Sequence, residues 1–221
     1  MRQLYLPMRI WDLPTRLFHW VLVLLVVASW VSAEYNYMKV HVACGFGVMT
    51  LVIFRVIWGL VGSDTARFAF FLKSPIAAIR HLLHLIRREP DTEIGHNAAG
   101  GWMVLGLLAI LTLQVATGLC ANDDVATEGP LALRVGKDWS DWLTHVHVLN
   151  FKAIQIAVAL HVLAILAYRL LKGHNLVLPM ITGKKRLPGN IPAPAMMHPV
   201  FGLAIFAVSA VIVFLFGWWA Y

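Results

Sequence analysis

The sequence predicts an all-α integral membrane protein, and three observations carry that expectation. Of 221 residues, 60% are hydrophobic and only 13% charged, with a mean hydropathy of +0.74, whereas a soluble domain carries roughly a quarter charged residues. Five stretches are apolar over the about 20 residues that a helix needs to cross a bilayer core of roughly 30 Å. These runs are continuous rather than alternating, so helices and not a barrel satisfy the backbone in lipid. Ordinary counts of Gly (16) and Pro (10) exclude collagen-like and low-complexity chains.

Taken in order, the expected spans are residues 17–33, 40–61, 97–121, 146–171 and 199–221. The first resembles a secretory signal in its basic flank and small-residue end at Val31, Ser32 and Ala33. Asp12 in the flank and a histidine within the apolar run favour a retained span instead. Residues 75–88 read as an amphipathic helix on an anionic leaflet, with Ile76, Ile79, Leu83 and Ile86 on one stripe and Arg80, His84 and Arg87 elsewhere. The segment 122–144 is acidic and carries Trp139 and Trp142, suited to the interface or to a partner, and Trp218, Trp219 and Tyr221 form an aromatic end to the last span.

Lysine and arginine set the orientation. With a cytoplasmic N-terminus, 14 of the 18 basic residues and five of the 11 acids fall inside, which divides the net charge of +7 into +9 inside and −2 outside. The basic balance is therefore a topology signal that calls for no nucleic acid, and five spans leave the C-terminus outside. Cys44 and Cys120 read as small packed residues rather than a disulfide, and no Cys-x-x-Cys-His is present for covalent haem.

Ten histidines in so apolar a chain need a reason, because a buried polar group in hydrocarbon requires a partner or a task. Sorted by depth, His19 and His161 lie toward the inside, and His41 and His147 toward the outside. The 14 residues from His147 to His161 give about 21 Å of rise and a residual rotation of about 40°, so both look over nearly one face. Two facing imidazole pairs are what two stacked b-type haems need as axial ligands, with irons on the order of 20 Å apart. His145, turned about 160° from His147, is the competing ligand and the less favoured one. Gly45, Gly47, Gly100, Gly101 and Gly106 leave room either for a ring or for close helix contact. His81, His84, His174 and His198 read as solvated or headgroup-facing, and His96 as capping or interfacial.

Four motifs carry a resemblance. Trp11-Asp12-Leu13-Pro14-Thr15-Arg16-Leu17-Phe18-His19-Trp20, Val40-His41-Val42-Ala43-Cys44-Gly45, Gly95-His96-Asn97-Ala98-Ala99-Gly100-Gly101, and His174-Asn175-Leu176-Val177 with Thr182-Gly183-Lys184-Lys185 together resemble the prokaryotic cytochrome b561 family, which includes the b-type cytochrome subunits of nickel–iron hydrogenases. The resemblance implies a four-helix transmembrane di-haem domain over residues 1–187, with a linker and additional C-terminal helix over 188–221 whose role is either to cover the bundle or to hold a partner. It implies two non-covalent haems b, the inner on His19 and His161 and the outer on His41 and His147, and a homodimer is compatible with it.

The resemblance implies a location in the bacterial cytoplasmic (inner) membrane with the C-terminus periplasmic, and the leading expectation it gives is an electron-transfer cytochrome between the quinone pool and a periplasmic redox protein, such as a c-type cytochrome or a dehydrogenase or hydrogenase subunit. Arg16, Trp20 and Arg169 are candidates for propionate or quinone contacts, against plain positive-inside anchoring. A superoxide oxidase feeding quinone is the second reading, disfavoured by the acidic outer face, which repels a small anion. A histidine-using metal or proton transporter is the third. It predicts acids between the histidine layers, but the fourth span offers Lys152 and Gln155 and no acid there. A purely structural anchor leaves the matched depths unexplained.

Overall fold

A computed structural model of the chain describes residues 4–83 and 92–220. Its elements are β1 (Tyr5–Arg9), α1 (Leu13–Glu34), α2 (Met38–Val61), a 3-10 turn (Asp64–Ala66), α3 (Phe68–Phe71), α4 (Pro75–Leu83), α5 (Ala98–Gly118), α6 (Ala132–Val135), α7 (Lys137–Ala167, continued by a π turn at Tyr168–Lys172), α8 (Val177–Thr182), β2 (Lys184–Pro188) and α9 (Pro199–Ala220). Five helices, α1, α2, α5, α7 and α9, are long and apolar enough to cross a membrane. Leu24, Leu163, Leu203 and Phe214 are among the large apolar side chains left exposed on them, as lipid-facing surface requires.

The contacts divide into two compact units, one of Met1–Leu17, Val56–Gly106 and Val158–Leu203, the other of Phe18–Arg55, Leu107–Ala157 and Ala204–Tyr221. In the first, the start of α1 is built by the residues just before it. Asp12 is buried, its Oδ1 accepts the backbone N–H of Thr15 at 2.7 Å, and its Oδ2 accepts the Trp58 indole N–H at 3.1 Å. An aspartate N-cap with Pro14 in the first turn is a strong helix start. The backbone N–H groups of Ile10 and Trp11 both donate to Gly183 O. Gly183 has φ +79° and a Cβ there would lie 2.8 Å from Trp11 O, so only glycine fits this turn.

One feature of this unit was not expected from the sequence. β1 and β2 form an antiparallel pair running from Tyr5 opposite Pro188 to Arg9 opposite Lys184. Of the expected amphipathic helix at 75–88, α4 supplies Pro75–Leu83, with Ile76, Ile79 and Leu83 exposed; His84, Ile86, Arg87 and Arg88 lie outside the described residues. The segment before α9 is moored by Asp64 and Ser63, which accept the backbone N–H groups of Ala195 and Met197, and Gly202 of α9 sits against Pro14.

In the second unit, Val48, Val52, Leu111 and Ile154 form a buried cluster with Leu22, Leu25 and Val26 against it. Cys44 and Cys120 are both free thiols and buried, as the sequence led one to expect. The fourth long helix corrects an expectation: it begins at Lys137, nine residues before the expected start at 146. Trp139 and Trp142 therefore stand on its first turns, edge to face at 5.7 Å, and not in a loop. Gly136, at φ +82°, makes the turn into it. α9 joins this unit through Phe206 against Phe54 and through Trp219, whose carbonyl accepts from Arg134 at 2.9 Å while the guanidinium lies 3.8 Å over its ring.

Candidate haem site

His41 on α2 and His147 on α7 face one another, with ring centroids 6.1 Å apart and planes at 80°. Each is held through Nδ1. His41 Nδ1 lies 2.9 Å from Ser29 O and 3.1 Å from Ser29 Oγ, and His147 Nδ1 lies 2.9 Å from Gln114 O and 3.2 Å from Thr117 Oγ1. A carbonyl oxygen only accepts, so in both rings Nδ1 carries the proton and Nε2 the lone pair. This is the outer-shell arrangement that fixes tautomer and ring orientation in metal-ligating histidines.

The polar side chains around these rings were not singled out in the sequence. The Gln114 amide nitrogen is 3.1 Å from His147 Nε2, and the Asn150 amide donates to Gln114 Oε1 at 2.7 Å and to Ile110 O at 2.9 Å. Ser29, Gln114, Thr117 and Asn150 were all missed. Their signal was there to read: polar side chains inside otherwise apolar spans, one of them three residues after His147. Gly118 admits the His147 ring, since a Cβ there would lie 2.8 Å from Cε1. Gly45, one turn beyond His41, has nothing within 4 Å of where a Cβ would stand.

The remaining candidates are placed as follows. His145 is exposed. His19 is half-buried in the same unit as His41 and His147, edge-on to the Trp20 ring at 4.9 Å, while His161 is half-buried in the other unit. The Arg16 guanidinium is hydrogen-bonded to the Ile181 carbonyl, and Arg169 is exposed. His96 does not cap α5. That is done by Asn97, whose Oδ1 accepts Gly100 N–H at 2.8 Å, while the His96 ring packs 4.7 Å from Trp11 and 4.8 Å from Phe71. His81, expected in solvent, is half-buried and within 2.6 Å of the Tyr168 hydroxyl. His198 is exposed and accepts Val200 N–H near the start of α9.

Two opposed imidazoles, each with a tied Nδ1, fit an axially ligated haem. Two metal–nitrogen bonds of about 2 Å, with about 1 Å from each nitrogen to its ring centre, give a centroid spacing of about 6 Å, which matches the His41 and His147 rings. Among the described residues, no group of three or more His, Cys, Asp or Glu side chains could hold a bare metal ion. Residues 10–183 match the family described as prokaryotic cytochrome b561. The chain belongs to that family. It is a membrane haem protein of the b type with five candidate transmembrane helices. A cytochrome b561 relative, the probable superoxide oxidase CybB of Yersinia pestis, is 23% identical over 181 residues, covering 76% of this chain and 93% of the relative. No solved structure matches this cytochrome b561 chain.

Proposed function

We propose that this cytochrome carries electrons across the bacterial inner membrane between the quinone pool and a periplasmic redox protein, using two haems b. His41 and His147 hold the outer haem, and His19 and His161 the inner one. Bound there, haem supplies one-electron exchange at a potential set by its axial ligands and burial. The protein's part is to orient those ligands and exclude water. Ser29 and Gln114 fix the His41 and His147 rings through their carbonyls, and Thr117, 2% exposed, closes the shell beside His147. The observation that carries this reading is the 6.1 Å opposition of two Nδ1-tied imidazoles.

The N-terminus is assigned to the cytoplasm by the +9 inner balance, with the C-terminus in the periplasm. The acidic outer segment, with Asp123, Asp124, Glu128, Asp138 and Asp141, suits a basic partner such as a c-type cytochrome. Optical spectra of oxidised and dithionite-reduced protein, with haem stoichiometry, test the reading: two haems per chain are expected, and no b-type Soret and α bands would refute it. Replacing His161 by Leu should remove one haem and leave the other.

A second reading, superoxide oxidation with quinone as acceptor, is favoured by the printed name of the Yersinia pestis relative. Against it stands the outer acidity, since a superoxide site gains from positive potential. Stopped-flow superoxide consumption with quinone present separates the two.

A further inference from the structure

The open face of α7 carries more polar side chains than a face turned to lipid needs. Asp138, Asp141, His145, Val148, Lys152 and Gln155 are all exposed and follow one another at spacings of 3, 4, 3, 4 and 3 residues. That alternation keeps them on one seam, the repeat by which one helix packs along another. All of them belong to the second unit. Lys152 and Gln155 lie about 140° and 80° round the helix from His147, so the seam is distinct from the facing imidazoles.

Its lower part lies at hydrocarbon depth. Ile154, between Lys152 and Gln155 in sequence, is buried against Val48, Val52 and Leu111. Leu111 is seven residues from the Gly118 end of α5, and Val48 is ten from the Met38 start of α2, which is about 10 and 15 Å along those helices. From residue 148 to residue 166, Lys152 and Gln155 are the only polar side chains among the exposed residues of α7. Neither is hydrogen-bonded or ion-paired to another of the described residues. A lysine stem carries its ammonium part of the way toward the headgroups. The shorter glutamine has no such escape, and an unmet amide in hydrocarbon calls for a partner.

We propose that this seam receives a transmembrane helix of a partner subunit, one that bears a carboxylate facing Lys152 and Gln155 and a basic residue facing Asp138. Charge decides the occupant. The Lys152 ammonium and the carboxylate form a charge-assisted pair, which the low dielectric of the bilayer strengthens, and the Gln155 amide donates to the remaining carboxylate oxygen. Asp141 is already paired with Lys137, which leaves Asp138 to receive the basic residue. Fourteen residues separate Asp138 from Lys152, so the partner's acid and base stand about 21 Å apart along the seam, and the two contacts together fix its register. A second copy of this chain does not supply them. Two α7 helices in one membrane run parallel, which sets Lys152 against Lys152 and Asp138 against Asp138, and from Trp142 to Lys172 the helix contains no acid. A phospholipid answers Lys152 alone and leaves Gln155 unmet.

The test uses the full-length, haem-loaded protein in phosphatidylcholine vesicles. The probe is a dye-labelled polyleucine transmembrane peptide with one Arg near an interface and one Glu fourteen residues deeper, and energy transfer to an acceptor on the protein reads association. The peptide is expected to bind about tenfold more tightly than the same peptide with Leu in place of Glu. Lys152→Leu and Gln155→Leu should shrink that preference, and Lys152→Glu should turn it toward a peptide with Lys in place of Glu, with the haem spectrum unchanged in all three. Equal binding of the Glu and Leu peptides by the wild-type protein would overturn the proposal, as would a preference that survives in both leucine variants. In native membranes, p-benzoylphenylalanine in place of Val148 reads the occupant itself. The expected adduct is a membrane protein captured at a span that bears Asp or Glu, lost in Lys152→Glu and restored when that acid is exchanged for Lys. Adducts with a second copy of this chain, or with lipid alone, would identify those occupants and overturn the proposal.

Discussion

His147 Nδ1 donates to the carbonyl oxygen of Gln114 at 2.9 Å, so the imidazole on α7 is oriented by the backbone of α5. The bond leaves the lone pair on Nε2, the nitrogen that would ligate the proposed haem. His145, two residues earlier and exposed, has no such hold. His147→Leu is therefore expected to remove one haem per chain, and His145→Leu none. The haem-to-protein ratio from the reduced spectrum checks both.

Gly118 and Gly45 separate ring placement from cofactor space. Alanine at Gly118 puts a methyl group 2.8 Å from His147 Cε1, which displaces the ring and is expected to lower haem affinity by about ten- to a hundredfold, the usual effect of disturbing a ligand's outer shell. Valine at Gly45 meets no protein atom within 4 Å of its Cβ. The variant should thus insert normally in haem-starved cells and still lose haem under replete ones. Membrane abundance and haem content, measured side by side, distinguish the two effects.

Asp12 joins the helix start to Trp58. Asp12→Ala removes an N-cap, worth about 0.5 to 2 kcal/mol, together with the buried acceptor of the Trp58 indole, a loss of about 1 to 3 kcal/mol. A destabilisation of about 1.5 to 5 kcal/mol follows. It should appear as a lower Tm in detergent, with Asp12→Asn recovering part of the loss.

Asp123 gives the segment ahead of α6 a pH dependence. Its Oδ1 accepts the backbone N–H groups of Thr127, Val125 and Ala126 at 2.8, 3.0 and 2.9 Å, and these hold its carboxyl well below the usual carboxylate range. A depressed folded value means that the turn is stabilised above about pH 4, where the unfolded carboxyl is ionised. That contribution is lost as the pH falls through the folded value. Amide exchange at residues 125–127 should therefore gain protection as pH rises from 2 to 5, after correction for intrinsic rates. Asp123→Asn should flatten that change.

The five spans were legible because apolar length is written directly in composition, and the 14-residue spacing of His147 and His161 marked one helix face. The early start of α7 was hidden because Lys137, Asp138 and Asp141 read as loop, although a helix beyond the bilayer may freely carry charge. The β1 and β2 pair was hidden because each strand has five residues and their partners lie some 180 positions apart. The same distance in sequence concealed His81 and Tyr168, 87 residues apart. Pairing with a remote phenol leaves no periodic trace in either neighbourhood. The four candidate histidines were singled out by depth, whereas the carbonyls that hold His41 and His147 belong to the backbone and have no letter of their own.

The strand pair also imposes a parity and an order of synthesis. Residues 5–9 and 184–188 are hydrogen-bonded to each other and so share one side of the membrane, which requires an even number of crossings between them; α1, α2, α5 and α7 supply four. β1 leaves the ribosome first and stays without its partner until residue 188 has emerged. The small sheet is thus a closing stitch, drawn only after α1, α2, α5 and α7 have been made and before α9 follows them.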